Sequence, residues 1–308
     1  MARRIRHLLS IEDLSDEELR HLVRRGAEFA AGRSAPAALT GRVVGLYFRR
    51  TSTRTRTAFS SGALRLGGQI VSYGPHDLQE NTGESTEDTG RVLSGMLDAF
   101  VARTAGSPEE LRALAGQERM AVVNAMSADE HPTQAICDLT AMTSHFGAVD
   151  PLRVLYVGEG NNTAAALALA MSRYPGAELR LRTPPGYGLA AEKAAAAAAR
   201  AAASGAVIEE RHTMDDLPAA VDVVYTTRWQ TTGTTKADPD WRTTFDAYRV
   251  DERLMGRYPE AVFMHDLPAH RGEEVTGGVL DSARSIAFPQ ADHKLHSAMA
   301  VLEWCLCG

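Results

Sequence analysis

Short apolar runs recur along the chain at 43–48, 69–73, 99–102, 120–124, 153–157, 178–182, 206–210, 222–225 and 261–264. Runs this short and this continuous read as strands buried on both faces. Between them lie amphipathic or alanine-rich stretches at 15–31, 54–66, 86–97, 131–146, 162–172 and 189–203, which read as helices. A last helical stretch covers 290–306. Strand alternating with helix predicts an α/β protein, with parallel sheets covered by helices on both faces. Nine strands exceed one modest sheet, so two parallel-sheet α/β domains are expected. The break is placed at Gly147–Pro151, giving domains 1–147 and 148–289, with the C-terminal helix of 290–308 returning to the first. The alanine run 194–203 is simple in composition, but Glu192, Lys193 and Arg200 mark it as a surface helix. Residues 229–240 have no periodicity and read as a long polar loop, a type that often carries binding residues.

Composition narrows the picture. The 308 residues are 44% hydrophobic and 23% charged, as in soluble globular proteins, and no apolar run is long enough to cross a bilayer. The basic start Met1–Arg6 is followed by the acidic, helix-like Ser10–Asp16, which does not resemble a signal peptide. A net charge of −6 argues against global attraction to nucleic acid or an anionic membrane. Cys137, Cys305 and Cys307 form no disulfide framework, and a reducing cytoplasm fits them. Cys305 and Cys307 lack partner ligands nearby for zinc.

An anionic ligand must therefore meet a local positive cluster. Arg49, Arg50, Arg54 and Arg56 supply one, interleaved with Thr51, Ser52, Thr53 and Thr55. They follow the apolar run 43–48 and open a helix, so the segment reads as a strand-to-helix turn. Helix N-termini present free N–H groups with partial positive charge, and arginine forks match phosphate oxygens. The expected ligand is a phosphate group. The bland alternative is a solvated turn covered by charge, which gains little from so many hydroxyls.

Four further segments each follow a strand, where ligands of parallel sheets bind. His131-Pro132-Thr133-Gln134 opens a helix, with His131 and Gln134 on one face, although a histidine there also serves as a simple cap. Gly158-Glu159-Gly160-Asn161-Asn162 looks like a dinucleotide turn, but Thr163 stands where a third glycine is needed. Strand 178–182 also ends without an acidic residue for a ribose, so a nicotinamide dehydrogenase is disfavoured. The last two are Thr226–Gly233 and His265–Val275. His265, Asp266 and His270 are weak metal candidates, lacking a carboxylate cluster.

Together these segments resemble the aspartate/ornithine carbamoyltransferase family, nearer its ornithine branch. The resemblance rests on Ser52-Thr53-Arg54-Thr55-Arg56, Gly83–Thr89, His131–Gln134, Asn161-Asn162 and a variant His-Cys-Leu-Pro motif at 265–268, in order across essentially the whole chain. It implies a carbamoyl-phosphate domain followed by an acceptor domain. It implies transfer of a carbamoyl group from carbamoyl phosphate to an amine, with phosphate released and no cofactor or metal. Ser52, Thr53, Arg54, Thr55 and Arg103 would hold the phosphate, and His131, Gln134 and the Leu267 carbonyl the carbamoyl group. Lys294 would join the donor site. Gln79 would reach a neighbouring subunit's site in a homotrimer with active sites between subunits. Asn161, Asn162, Thr227, Arg228, Gln230, Thr231 and Asp266 would face the acceptor. Arg54, Thr55, Arg103, His131, Gln134 and Asp266 would act in catalysis.

The acceptor side departs from both branches. Ornithine enzymes carry Asp-x-x-x-Ser-Met-Gly where this chain has Thr227, Thr231, Thr232 and Gly233. Thr227-Arg228-Trp229-Gln230 looks like the Thr-Arg-x-Gln of aspartate enzymes, yet Thr82 replaces their lysine and an arginine near Asn161-Asn162 is missing. Asp266 replaces the cysteine or proline of the two branches. It would bind a cationic acceptor or take its proton, unless it merely caps its loop. These departures predict an acceptor other than free ornithine or aspartate, such as a diamino acid group in a natural-product intermediate of secondary metabolism. The alternatives are an ornithine carbamoyltransferase of arginine synthesis and a non-catalytic paralogue that binds carbamoyl phosphate.

Overall fold

The computed structural model describes residues 5–33, 35, 37–231 and 233–307. The basic start Met1–Arg4 and Thr232, which the sequence sets in the expected acceptor loop, lie outside them. The chain divides into two compact units, Met1–Thr140 with Asp292–Gly308, and Ala141–Ala291.

The first unit holds a four-stranded parallel sheet in the order β2-β1-β3-β4. Its strands are β1 (Val43–Phe48), β2 (Gln69–Tyr73), β3 (Ala99–Arg103) and β4 (Ala121–Asn124). Its helices are α1 (Asp16–Ala30), α2 (Arg54–Arg65), α3 (Thr86–Leu93), α4 (Pro108–Leu114) and the start of α5 (Pro132–Phe146). β1, β3 and β4 are buried almost throughout, which is why they read as unbroken apolar runs. Tyr47, Phe100 and Val122 pack with Leu93, Leu111 and Leu114 in the core. The order of strand addition reverses between β1 and β3, where Phe48 pairs with Arg103. Crevices at such switch points are where open α/β sheets bind ligands.

The second unit holds a five-stranded parallel sheet in the order β7-β6-β5-β8-β9. Its strands are β5 (Arg153–Val157), β6 (Glu178–Arg182), β7 (Val207–Arg211), β8 (Val223–Thr226) and β9 (Val262–His265). Its helices are α6 (Asn162–Met171), α7 (Ala191–Ser204), α8 (Trp241–Phe245), α9 (Glu252–Arg257) and α10 (Gly277–Leu280). α6 is buried along its whole length, so it has no polar face to announce it. The switch point here falls between β5 and β8. Thr226 pairs with both Val157 and His265, which brings the ends of β5, β8 and β9 level.

The last helix is α11 (Ala287–Cys307), and residues from Asp292 onward belong to the first unit, as the sequence predicts. There Gly62 of α2 faces Met299, and Arg25 of α1 pairs with Glu303 at 2.5 Å. The three cysteines are free. Among the described residues no helix is long and apolar enough to cross a membrane.

Candidate active site

The strand-to-helix turn forms as expected, but its arginines part company. α2 starts at Arg54 with Thr53 as its N-cap, and Thr53 makes no side-chain capping bond. The first hydrogen bond back into the turn is Thr57 N–H to Thr53 C=O, 3.1 Å. The N–H groups of the first helical residues thus stay outside the helix ladder, ready for an anion. Thr55 is buried beneath them and Arg54 half-buried.

Arg49 does not belong to this cluster. Its guanidinium binds both oxygens of Glu110 and the Tyr47 hydroxyl, the last at 3.0 Å. That pairing cancels its charge. Arg56 lies over the Phe48 ring, 5.0 Å from its centroid, and Arg50 is exposed. The expected four-arginine cluster therefore reduces to Arg54, supplemented by Arg103 across the switch point. The Arg49 N–H donates to the Arg103 carbonyl at 3.0 Å, fixing the ends of the two strands together.

His131 sits just ahead of α5 and is 5% exposed. The loop that carries it is tied down by buried Glu130, which accepts from Ser10 Oγ (2.6 Å) and the Ile11 N–H (2.7 Å). Nothing in the local sequence announces this anchor, because the partners are over a hundred residues apart. Thr133 Oγ1 lies 3.2 Å from His131 Nδ1. A hydroxyl donating there leaves the ring proton on Nε2. Burial, then the charges of Arg103 and Lys294, hold the His131 pKa well below the usual value. The imidazole is therefore a neutral donor at pH 7 rather than an imidazolium.

Gln134 is engaged at both ends of its amide. Nε2 donates to Asp138 Oδ1 at 2.7 Å, and Oε1 accepts from Lys294 Nζ. Thr55, His131, Gln134, Lys294 and Ser297 line a small pocket that opens to solvent. Cationic groups around a neutral histidine, beside a free helix terminus, suit a small phosphorylated carbonyl compound. Gln79 is exposed on a 3-10 turn, where its Oε1 accepts from Thr82 at 2.8 Å.

In the second unit the turn after β5 is shaped by packing. A Cβ at Gly160 would come within 2.3 Å of the Gly188 and Leu189 backbone. That close approach explains the glycine without a pyrophosphate. Asn161 caps α6, its Oδ1 accepting from Thr163 and Ala164 N–H at 3.0 and 3.1 Å. Its Nδ2 donates to Thr227 Oγ1 at 3.0 Å. The Tyr156 hydroxyl donates to the Glu159 carbonyl (2.6 Å), so the Thr227 hydroxyl donates to Tyr156 (2.9 Å). Thr227 is 1% exposed and its proton is committed. Asn162 is buried at the first turn of α6.

Arg228 is half-buried, and among the described residues its guanidinium makes no hydrogen bond or ion pair. Gln230 Nε2 donates to the Thr234 carbonyl at 2.9 Å, so it builds its own loop. Thr231 Oγ1 donates to Glu159 Oε2 at 3.1 Å. Asp266 accepts from Thr163 Oγ1 at 3.1 Å, with its side chain 18% exposed.

The segment after β9 rests on a fully buried pair. The Leu267 N–H donates to His265 Nδ1 at 2.8 Å, so the ring proton lies on Nε2 and points at Glu274 Oε1, 3.2 Å away. Both nitrogens of His265 are thus engaged, and His270 Nδ1 turns to Glu273 at 3.7 Å. This uses up the groups considered for a metal. Among the described residues no cluster of three or more potential metal ligands exists. Leu267 adopts φ +52°, unusual for a branched residue, and the bond to His265 holds it there.

Two parallel sheets, with a cationic corner beside a free helix terminus in the first, point to the class. Residues 6–144 match the family model "Aspartate/ornithine carbamoyltransferase, carbamoyl-P binding domain" and residues 150–305 the model "Aspartate/ornithine carbamoyltransferase, Asp/Orn binding domain". The chain belongs to the aspartate/ornithine carbamoyltransferase family and is a carbamoyltransferase. It is 36% identical to the ornithine carbamoyltransferase of Halorhodospira halophila, over 99% of this chain and 100% of that relative. It is 37% identical to that of Symbiobacterium thermophilum, over 96% of each. The solved ornithine carbamoyltransferase of Pyrococcus furiosus superposes with a TM-score of 0.91 at 33% identity, covering 99% of this chain and 98% of that one.

Proposed function

We propose that the protein transfers the carbamoyl group of carbamoyl phosphate to the side-chain amine of ornithine and releases phosphate. The observation that carries this reading is similarity along the whole chain to relatives named ornithine carbamoyltransferases. Arg54 and the free N–H groups of α2 grip the phosphate, with Ser52 and Thr53 in the same turn. A neutral amine attacks the carbamoyl carbon, charge grows on the carbonyl oxygen, and phosphate departs. Thr55, Arg103 and the His131 Nε2–H meet that charge, and Gln134 with Lys294 orients the carbamoyl group. The departing phosphate takes the amine proton. The family resemblance carries with it a cytoplasmic homotrimer in which Gln79 completes a neighbouring site.

A second reading keeps the chemistry and changes the acceptor. Thr227 carries no charge, and its hydroxyl is committed to Tyr156 and Asn161. The acceptor's ammonium then falls to Asp266, and its carboxylate to Arg228, which is unpaired among the described residues. This favours an amine other than free ornithine, such as a diamino acid group within a natural-product precursor. Steady-state phosphate release and product mass across an amine panel separate the two. Efficient turnover of ornithine alone supports the first, and inert ornithine beside another active amine supports the second. No carbamoylated product from any amine sinks both.

A further inference from the structure

Lys236 rises from the polar loop 229–240, yet its side chain is only 4% exposed. Its ammonium pairs with Glu159 Oε1. It also lies 4.4 Å from the Tyr187 ring centroid, 4.9 Å from that of Phe245 and 5.2 Å from that of Trp241. Three rings and a carboxylate around one cation make a cage of the kind that recognises alkylammonium groups. Burying a lysine costs side-chain entropy and hydration, so the cage must return that through ring contacts and the ion pair.

The cage fastens a loop. Glu159 stands in the turn after β5, two residues before Asn161, and its second oxygen accepts from Thr231. Trp229 and Trp241 close on Phe245, with centroids 5.5 and 5.3 Å away. The Tyr187 carbonyl accepts from the Gly160 N–H at 2.8 Å, tying the cage wall to the same turn. The loop is thus attached to the β5 turn through Thr231 and Lys236, and Thr227 and Arg228 lie at its root.

We propose that Lys236 is a positioning residue for the amine acceptor: seated in the ring cage on Glu159, it holds the 229–240 loop so that Arg228 and Thr231 meet the acceptor. The inference rests on the reading that this loop faces the acceptor. The same cage will accept a free alkylammonium when the lysine is shortened.

The test uses the full-length enzyme with Lys236→Ala. The KM for the amine should rise about tenfold, while the KM for carbamoyl phosphate changes by less than about twofold. n-Propylammonium, which replaces the deleted atoms, should reverse most of that rise. 1-Propanol, similar in shape without the charge, should not. Product mass keeps any carbamoylated propylamine out of the count. Both KM values moving together with a lower Tm, and no response to propylammonium, would overturn the proposal. If the wild type carbamoylates no amine, the proposed function fails but the latch remains readable. Lys236→Ala should then still shift tryptophan emission from the Trp229–Trp241 cluster, and propylammonium should restore it. An unchanged spectrum overturns the latch itself.

Discussion

Lys294 Nζ donates to Oε1 of Gln134, 160 positions earlier in the chain. Because Gln134 Nε2 already donates to Asp138, the amide orientation is fixed and a single N–H remains for a ligand. Lys294→Met removes a charge and leaves a buried amide oxygen without its donor. We expect kcat/KM for carbamoyl phosphate to fall by roughly tenfold to a hundredfold. The KM for the amine should stay near wild type. Initial-rate measurements with each substrate varied in turn check this, and an unchanged donor KM contradicts the assignment.

Arg54 and Arg49 stand five residues apart but face different partners. Arg54 opens α2 beside the free N–H groups, whereas Arg49 is held by Glu110 and Tyr47. Arg54→Ala should cost about a thousandfold in kcat/KM or more, as loss of a transition-state charge donor does. Arg49→Ala should instead lower stability by about 1 kcal/mol, with a much smaller effect on turnover. Urea melts alongside kinetics distinguish the two. Equal kinetic damage from both would restore the four-arginine cluster that the turn suggests.

The strands were legible to within a residue at each end. β1, β3, β4, β5, β8 and β9 must be apolar because they are buried. The edge strands β2 and β7 are instead exposed or half-buried along their length, not buried on both faces as expected. The helix expected over 86–97 ends at Leu93, since Ser94-Gly95 turns the chain. α4 has no counterpart among the expected helices although Ser107 caps it and Pro108 starts it, because its 7 residues are too few to show a helical period. The candidate site residues stand out as motifs. Their partners were not, because Arg49 to Glu110, Glu130 to Ser10 and Lys236 to Glu159 are tertiary choices. Composition offers no rule for which carboxylate neutralises which arginine.

His131 is held neutral by burial, so its folded pKa lies below that of the unfolded chain. Above the ordinary histidine range neither state binds the proton, and stability is independent of this group. As pH falls below about 6.5 the unfolded state takes up a proton that the folded state refuses, and stability drops. The slope approaches about 1.4 kcal/mol per pH unit for each such histidine. His7, His293 and His296 are shifted the same way, His293 down to about 4. Urea denaturation from pH 7.5 to 4.5 should show this loss, and His131→Asn should flatten part of it. In turnover, no inflection near pH 6.5 should trace to His131. A kcat profile whose acid limb moves in His131→Asn would show that the imidazole protonates in the working enzyme.

Asp266 keeps a carboxylate next to the end of β9, on the strand adjoining that of Thr227. Asp266→Asn retains an oxygen for the Thr163 hydroxyl, so the loop should stay in place while the charge is lost. If Asp266 holds the acceptor's ammonium, the amine KM rises by about tenfold or more, with the carbamoyl-phosphate KM unmoved. The preference among amines should also shift away from dications. Thr227→Asp tests the complement, since it returns a carboxylate one strand over, about 5 Å away by sheet spacing. Improved ornithine turnover in the double variant Thr227→Asp, Asp266→Cys would mean the two positions trade a single ammonium site. An Asp266→Asn enzyme with wild-type amine kinetics would leave Asp266 as nothing more than a cap on its own loop, and the choice of acceptor would rest with Arg228.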